Sequence, residues 1–140
     1  MQYAELHCKS NFSLLQGASH AVELVERAKR LGYRAIAITD RNTLAGIVRA
    51  HGAAKDEQLK FVVAAELTFV DAPACVVWMP NRKAYGQLCR LLTLGRRRAG
   101  KGECLLYFDD LREFGQDWIV GVIPDWNPSS VNLVSDHLRL

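Results

Sequence analysis

No apolar run in this 140-residue chain approaches the roughly 18 residues that a membrane-spanning helix needs. The start, "MQYAELHCKS", lacks a basic stretch followed by an apolar core, so no secretory signal is expected. The expected setting is cytoplasmic, with no membrane partner. Close cysteine pairs are lacking: Cys8, Cys75, Cys89 and Cys104 stand far apart, with no C-x-x-C pair. A zinc knuckle or ribbon takes two ligands from one tight turn, so that class is excluded. These thiols are expected to be small buried hydrophobes. Acidic residues are missing altogether from residues 72–102, which carry seven basic ones. A stretch of one sign beside a loop attracts phosphates. Arg96, Arg97, Arg98 and Lys101 in "GRRRAGKG" are therefore candidates for contact with a nucleic-acid backbone or a partner.

What is present is an alternation of strand and helix patterns. "YAELHC" alternates and predicts a strand over Tyr3–Cys8. Ser19 is placed to cap a helix with Val22, Val25, Ala28 and Leu31 inward, Glu23 in its first turn and Gly32 past its end. "AIAIT" is a continuous apolar run of the buried-strand type, with Asp40 at its carboxyl edge. A second helix is expected to start at Asn42 or Thr43 and run to about Lys55, with Leu44, Ile47, Val48 and His51 inward. "FVVAAELTFV" and "ACVVWM" read as two further strands joined by a turn at Asp71–Pro73. After Pro80–Asn81 a third helix turns Tyr85, Leu88, Leu91 and Leu92 inward. "GRRRAGKG" reads as a loop, and "CLLYF" and "WIVGVI" flank a short exposed acidic helix starting near Asp109. Residues 125–140 form an irregular tail to which nothing is assigned.

This order implies parallel strands joined by right-handed crossovers, an α/β sheet or barrel. In such folds the chemistry sits at the carboxyl ends of the strands. His7, Asp40 and Glu66 each fall at such an end. Together they are candidates to hold a divalent ion that polarises a phosphoester and activates water. Singly, each has a plainer reading: a satisfied core histidine, a capping aspartate, a glutamate paired with a neighbouring cation.

The segments "LHCKSNFSLLQGASHAVELVERAKRLGYRAIAITD", "LAGIVRAHGAAK", "VVAAE" and "NRKAYGQLCRLLTLGRRRAGKGE" resemble the polymerase-and-histidinol-phosphatase (PHP) domain. Within that family they are most similar to the version at the amino terminus of bacterial error-prone C-family DNA polymerases. The resemblance spans about residues 3–124, with Gly100 where proline is the family's habit. It implies the N-terminal part of a distorted (β/α)₇ barrel with parallel strands, residues 1–124 forming the incomplete PHP domain. The family's metal cluster opens with His-x-His, then takes a residue before a glycine, the histidine of Thr-Asp-His, a glutamate and a later histidine. Position by position, His7 and Glu66 match. Lys9, Gln16, Arg41 and Ala74 stand in the other ligand places. Two permanent cations near the metal seats oppose divalent ions, at about 4 kcal/mol for each pair of unit charges at 4 Å. They also offset carboxylates that would otherwise be buried uncompensated. Lys9 and Arg41 are therefore expected to replace the ions with salt bridges to the vestigial site of His7, Asp40 and Glu66.

The resemblance then implies a segment with no catalytic residues and no cofactor of its own. Its parent activity is template-directed nucleotidyl transfer in translesion synthesis and damage-induced mutagenesis. Magnesium is expected only in the polymerase core, whose clustered aspartates this chain lacks. The implied partners are the rest of the polymerase chain, DNA through the full-length protein, and mutagenesis accessory proteins. An independent metal-dependent phosphoesterase and a non-functional truncated relic are the alternatives.

Overall fold

The computed structural model describes residues 3–124, so the tail expected at residues 125–140 lies outside them. The chain divides into two compact units, one ending at Glu66 and the other beginning at Leu67.

The first unit is a parallel sheet with two helices. β1 (Ala4–Cys8), β2 (Ala35–Ile38) and β3 (Lys60–Leu67) alternate with α1 (Ala21–Arg30) and α2 (Ile47–Asp56). β2 is central and pairs in parallel with both neighbours. All four of its residues are buried, which explains its continuous apolar run. β1 slips register against β2 between Glu5 and Cys8. A slip of this kind re-aims a side chain, and His7 lies within it.

α1 starts one residue later than its sequence suggests. His20, not Ser19, is the N-cap, completed by the Glu23 carboxylate accepting from the His20 amide at 2.8 Å. Its end is a Schellman turn: Gly32 takes φ +71°, and the Tyr33 amide donates to the Ala28 carbonyl at 3.0 Å. The second helix departs further from expectation. It begins at Ile47, after Gly46, and buries Ile47, Ala50 and Ala54, while Val48 is 75 % exposed. His51 is exposed too, its ring set edge-on to Phe61 at 6.2 Å. The core of this unit joins these residues to Val25, Ala28, Ile36, Ile38 and Leu59. Its interhelical side is lined with alanines, which let two helices approach closely.

The second unit contains β4 (Cys75–Trp78), α3 (Arg82–Arg98), α4 (Phe108–Phe114) and β5 (Ile119–Val122). Here the parallel expectation is corrected: β5 runs antiparallel to β4, pairing Cys75 with Val122 and Trp78 with Ile119. Asn81 caps α3 by accepting from the Ala84 amide at 2.9 Å. The predicted loop at Gly95–Arg98 is instead the last turn of α3. Gly95 is there for space, because a Cβ would press to 2.6 Å from Leu106 and 2.7 Å from the Cys104 sulfur. Three arginines then close a helix whose carbonyl end attracts cations.

α4 is not the exposed acidic helix expected. Asp110 is buried and accepts from Arg98 at 2.6 Å and from the Tyr107 amide at 2.9 Å. Burial pushes the Asp110 carboxyl up, but the Arg98 hydrogen bond and charge, with the Tyr107 amide, outweigh it and hold it below 3.8. All four cysteines are free thiols; Cys75 is buried and the others are half-buried. Burial, aided by the charges of Glu5 and Asp40, pushes the Cys8 thiol up to about 11. That thiol is inert at neutral pH. Among the described residues no helix is long and apolar enough to cross a membrane.

Candidate functional site

The carboxyl ends of β1, β2 and β3 bring His7, Lys9, Asp40 and Glu66 into one hydrogen-bonded region within the first unit. β1 ends one residue before Lys9, and the slip that precedes it leaves the His7 amide to the Glu5 carboxylate, at 3.0 Å. Glu66 sits near the end of β3, only 5 % exposed. One of its oxygens, Oε1, accepts from the Lys9 ammonium at 2.9 Å. The other, Oε2, lies 3.0 Å from His7 Nε2. Lys9 also donates to Gln16 Oε1 at 2.7 Å. A buried carboxylate is thus held between an ammonium and an imidazole, and the residue in the third ligand place serves the lysine.

Asp40 has a different job. It accepts from the Ser10 amide at 2.8 Å, the Ser10 hydroxyl at 2.6 Å and the Ser13 hydroxyl at 2.7 Å. The Ser13 oxygen in turn accepts from the Arg41 amide at 3.0 Å. This knot ties the loop after β1 to the end of β2 and so fixes where Lys9 starts. Gly17 closes the same loop: a Cβ there would collide with the carbonyl oxygens of Ser10 and Lys9. Ser10 and Ser13 escape the sequence patterns that single out the other members. Their only signal is two serines three apart, just after a strand, facing an aspartate across a parallel pair.

Arg41 departs from expectation. Its backbone bridges Glu66, but its side chain is exposed and forms no ion pair with a described residue. Asp40 does not need it, since the two serines supply three donors. Ala74 lies in the second unit, where its carbonyl accepts from the Ile123 amide at 2.9 Å. Of the basic candidates, Arg96, Arg97 and Lys101 are exposed. Arg98 is engaged by Asp110 and lies 5.8 Å over the Tyr107 ring.

A zinc-type centre takes three or more protein ligands. His7 and Glu66 supply two, and the Lys9 ammonium already occupies one of the two Glu66 oxygens. No group of three or more His, Cys, Asp or Glu side chains among the described residues is arranged to hold a metal. The donor set does not fit the family's resident ions.

Parallel strand–helix units with His, Asp and Glu side chains at their carboxyl ends define the class, and the match is direct: the model of the PHP domain covers residues 5–124. The chain belongs to the PHP domain family. Its fold is accordingly the PHP-type α/β barrel, of which the described residues supply five strands. Over 139 residues it is 50 % identical to the "Error-prone DNA polymerase" of Rhodopirellula baltica, a match covering 99 % of this chain and 12 % of that protein. The polymerase of the same description from Dechloromonas aromatica is 49 % identical over 136 residues, covering 94 % of this chain and 13 % of its own length. The chain is thus homologous to the N-terminal PHP region of error-prone DNA polymerases, and spans about an eighth of the curated relatives it matches. Among solved structures, a proposed metal-dependent phosphoesterase from Bifidobacterium adolescentis superposes with a TM-score of 0.56 at 26 % identity, over 69 % of this chain and 34 % of that one.

Proposed function

We propose that this PHP domain is a structural module of an error-prone DNA polymerase, and that Lys9 fills the cation seat its hydrolytic relatives give to a metal. The single observation carrying this is the Lys9 ammonium, 2.9 Å from Glu66. A fixed positive charge there neutralises the carboxylate and opposes a divalent ion at the same oxygen. The module's partner is the rest of the polymerase chain, to which the relatives' length points. Through it the domain serves translesion synthesis and damage-induced mutagenesis in the cytoplasm, with accessory mutagenesis proteins. Magnesium belongs to the polymerase core, and the nucleotidyl transfer is performed there.

The test is a manganese titration followed by thermal unfolding, with a phosphatase assay alongside. Wild type should neither shift nor turn over. Lys9→His, which restores a third nitrogen or oxygen donor, should be stabilised by about 2.7 kcal/mol at a hundredfold excess over its dissociation constant. A wild-type shift or turnover abolished by His7→Ala would overturn the proposal. That result would favour the second reading, a metal-dependent phosphoesterase, to which the Bifidobacterium adolescentis neighbour lends support.

A further inference from the structure

α3 carries a feature that the site at the strand ends does not use. On a helix of 3.6 residues per turn, Arg82, Gly86, Arg90, Thr93 and Arg97 fall within about 80° of arc. All three arginines are exposed and form no ion pair with a described residue. The neighbouring cations differ: Lys83 pairs with Asp117 at 3.2 Å, and Arg98 is held by Asp110. We propose that this outer face of α3 docks the phosphate backbone of single-stranded DNA, a proposal resting on the reading of the chain as part of a DNA polymerase.

Three observations favour a polymer over a lone anion. The arginines stand about 12 Å and 10.5 Å apart along the axis, at 1.5 Å per residue. Guanidinium groups so spaced do not converge on one phosphate, but they reach successive positions along a backbone. Between them Gly86 leaves the helix bare, and a Cβ there would meet no described atom within 4 Å. Glycine inside a helix lowers helix propensity, and no packing among the described residues requires it here. A bare backbone lets a chain of phosphates come close. Beside it lies a depression of about 320 Å³ lined by Cys89, Arg90, Thr93, Leu94 and Arg97. Its walls are apolar between two guanidinium groups, the mixed surface on which a nucleotide's base and phosphate rest together. The Thr93 hydroxyl donates to the Cys89 carbonyl at 2.7 Å, leaving its oxygen only to accept. Donation to a phosphate therefore falls to the arginines.

An acidic protein segment is the competing occupant, since guanidinium groups bind carboxylates as well. The relatives' description as DNA polymerases and the apolar floor favour nucleic acid. The test uses the 140-residue chain and fluorescence anisotropy of labelled oligothymidylate across a salt series, with polyglutamate as competitor. Wild type should bind with affinity falling steeply as salt rises. Arg90→Gln/Arg97→Gln should weaken binding roughly tenfold at low salt. It should also flatten the log–log salt slope by about 1.4, about 0.7 for each phosphate that is no longer neutralised. Undetectable wild-type binding, an unchanged slope in the double variant, or equal competition by polyglutamate at matched charge would each overturn the proposal. None of these outcomes touches the manganese titration of the Lys9 site, so the two readings fail separately.

Discussion

Replacing Lys9 by methionine removes the positive charge from the seat beside Glu66 and keeps most of the stem's bulk. At 2.9 Å and an effective dielectric of about 20, the attraction removed is about 6 kcal/mol. Most of that only offsets the cost of burying Glu66, whose side chain is 7 % exposed. Breaking a buried pair from one side costs about 3–5 kcal/mol, because the remaining charge is left uncompensated. Lys9 keeps 21 % exposure and His7 still touches the carboxylate, so the lower end, about 3 kcal/mol, is expected. Glu66→Gln leaves the more exposed partner behind and should cost about 1–2 kcal/mol. The double variant Lys9→Met/Glu66→Gln leaves no stranded charge. It should cost about 2 kcal/mol, well short of the sum, giving a coupling of about 2–3 kcal/mol. Urea unfolding at neutral pH measures this if the m-value is common to all four proteins. Losses that add within about 0.5 kcal/mol would show that Lys9 contributes packing rather than charge, and the reasoning would be wrong.

Gly17→Ala should destabilise by about 1–3 kcal/mol, since the methyl has only backbone to displace; the urea midpoint reads it, and an unchanged midpoint would mean the loop relaxes freely. Asp110 has a carboxyl held below 3.8 by Arg98 and the Tyr107 amide despite its burial. Its contribution is present above its unfolded value and is lost as pH falls through the lower folded one. Asp110→Asn should therefore unfold at a lower temperature than wild type at neutral pH and lose less on acidification below about pH 4, as scanning calorimetry along a pH series would show.

The strand ends are legible in the sequence because Asp40 and Glu66 follow apolar runs, and His7 falls near the end of an alternating one. His7, Asp40 and Glu66 can be placed together on that pattern alone, and Lys9 stands out by its position. The partners are less visible. Arg41 and Asp40 are adjacent and opposite in charge, yet two short hydroxyls reach the aspartate first, and serines in the loop after a neighbouring strand leave no periodic trace. On α2 the large apolar Val48 draws the expected inward face toward itself, whereas the packing uses Ala50 and Ala54. Hydropathy weights size, but closely packed helices select for smallness. At Gly95 the residue type that marks loops serves instead as room for Leu106, so a helical turn reads as a loop. The antiparallel β5 is invisible for another reason: a four-residue strand carries no mark of its direction.

The pairing of Lys9 with Glu66 has a consequence for supply. A bound ion must be acquired from the surroundings and is surrendered to a stronger chelator or in metal starvation. A lysine nitrogen arrives with translation, one per polypeptide, and no chelator can withdraw it. Whatever the cell's manganese or zinc stores, this carboxylate meets its counter-charge as soon as the first and third strands come together.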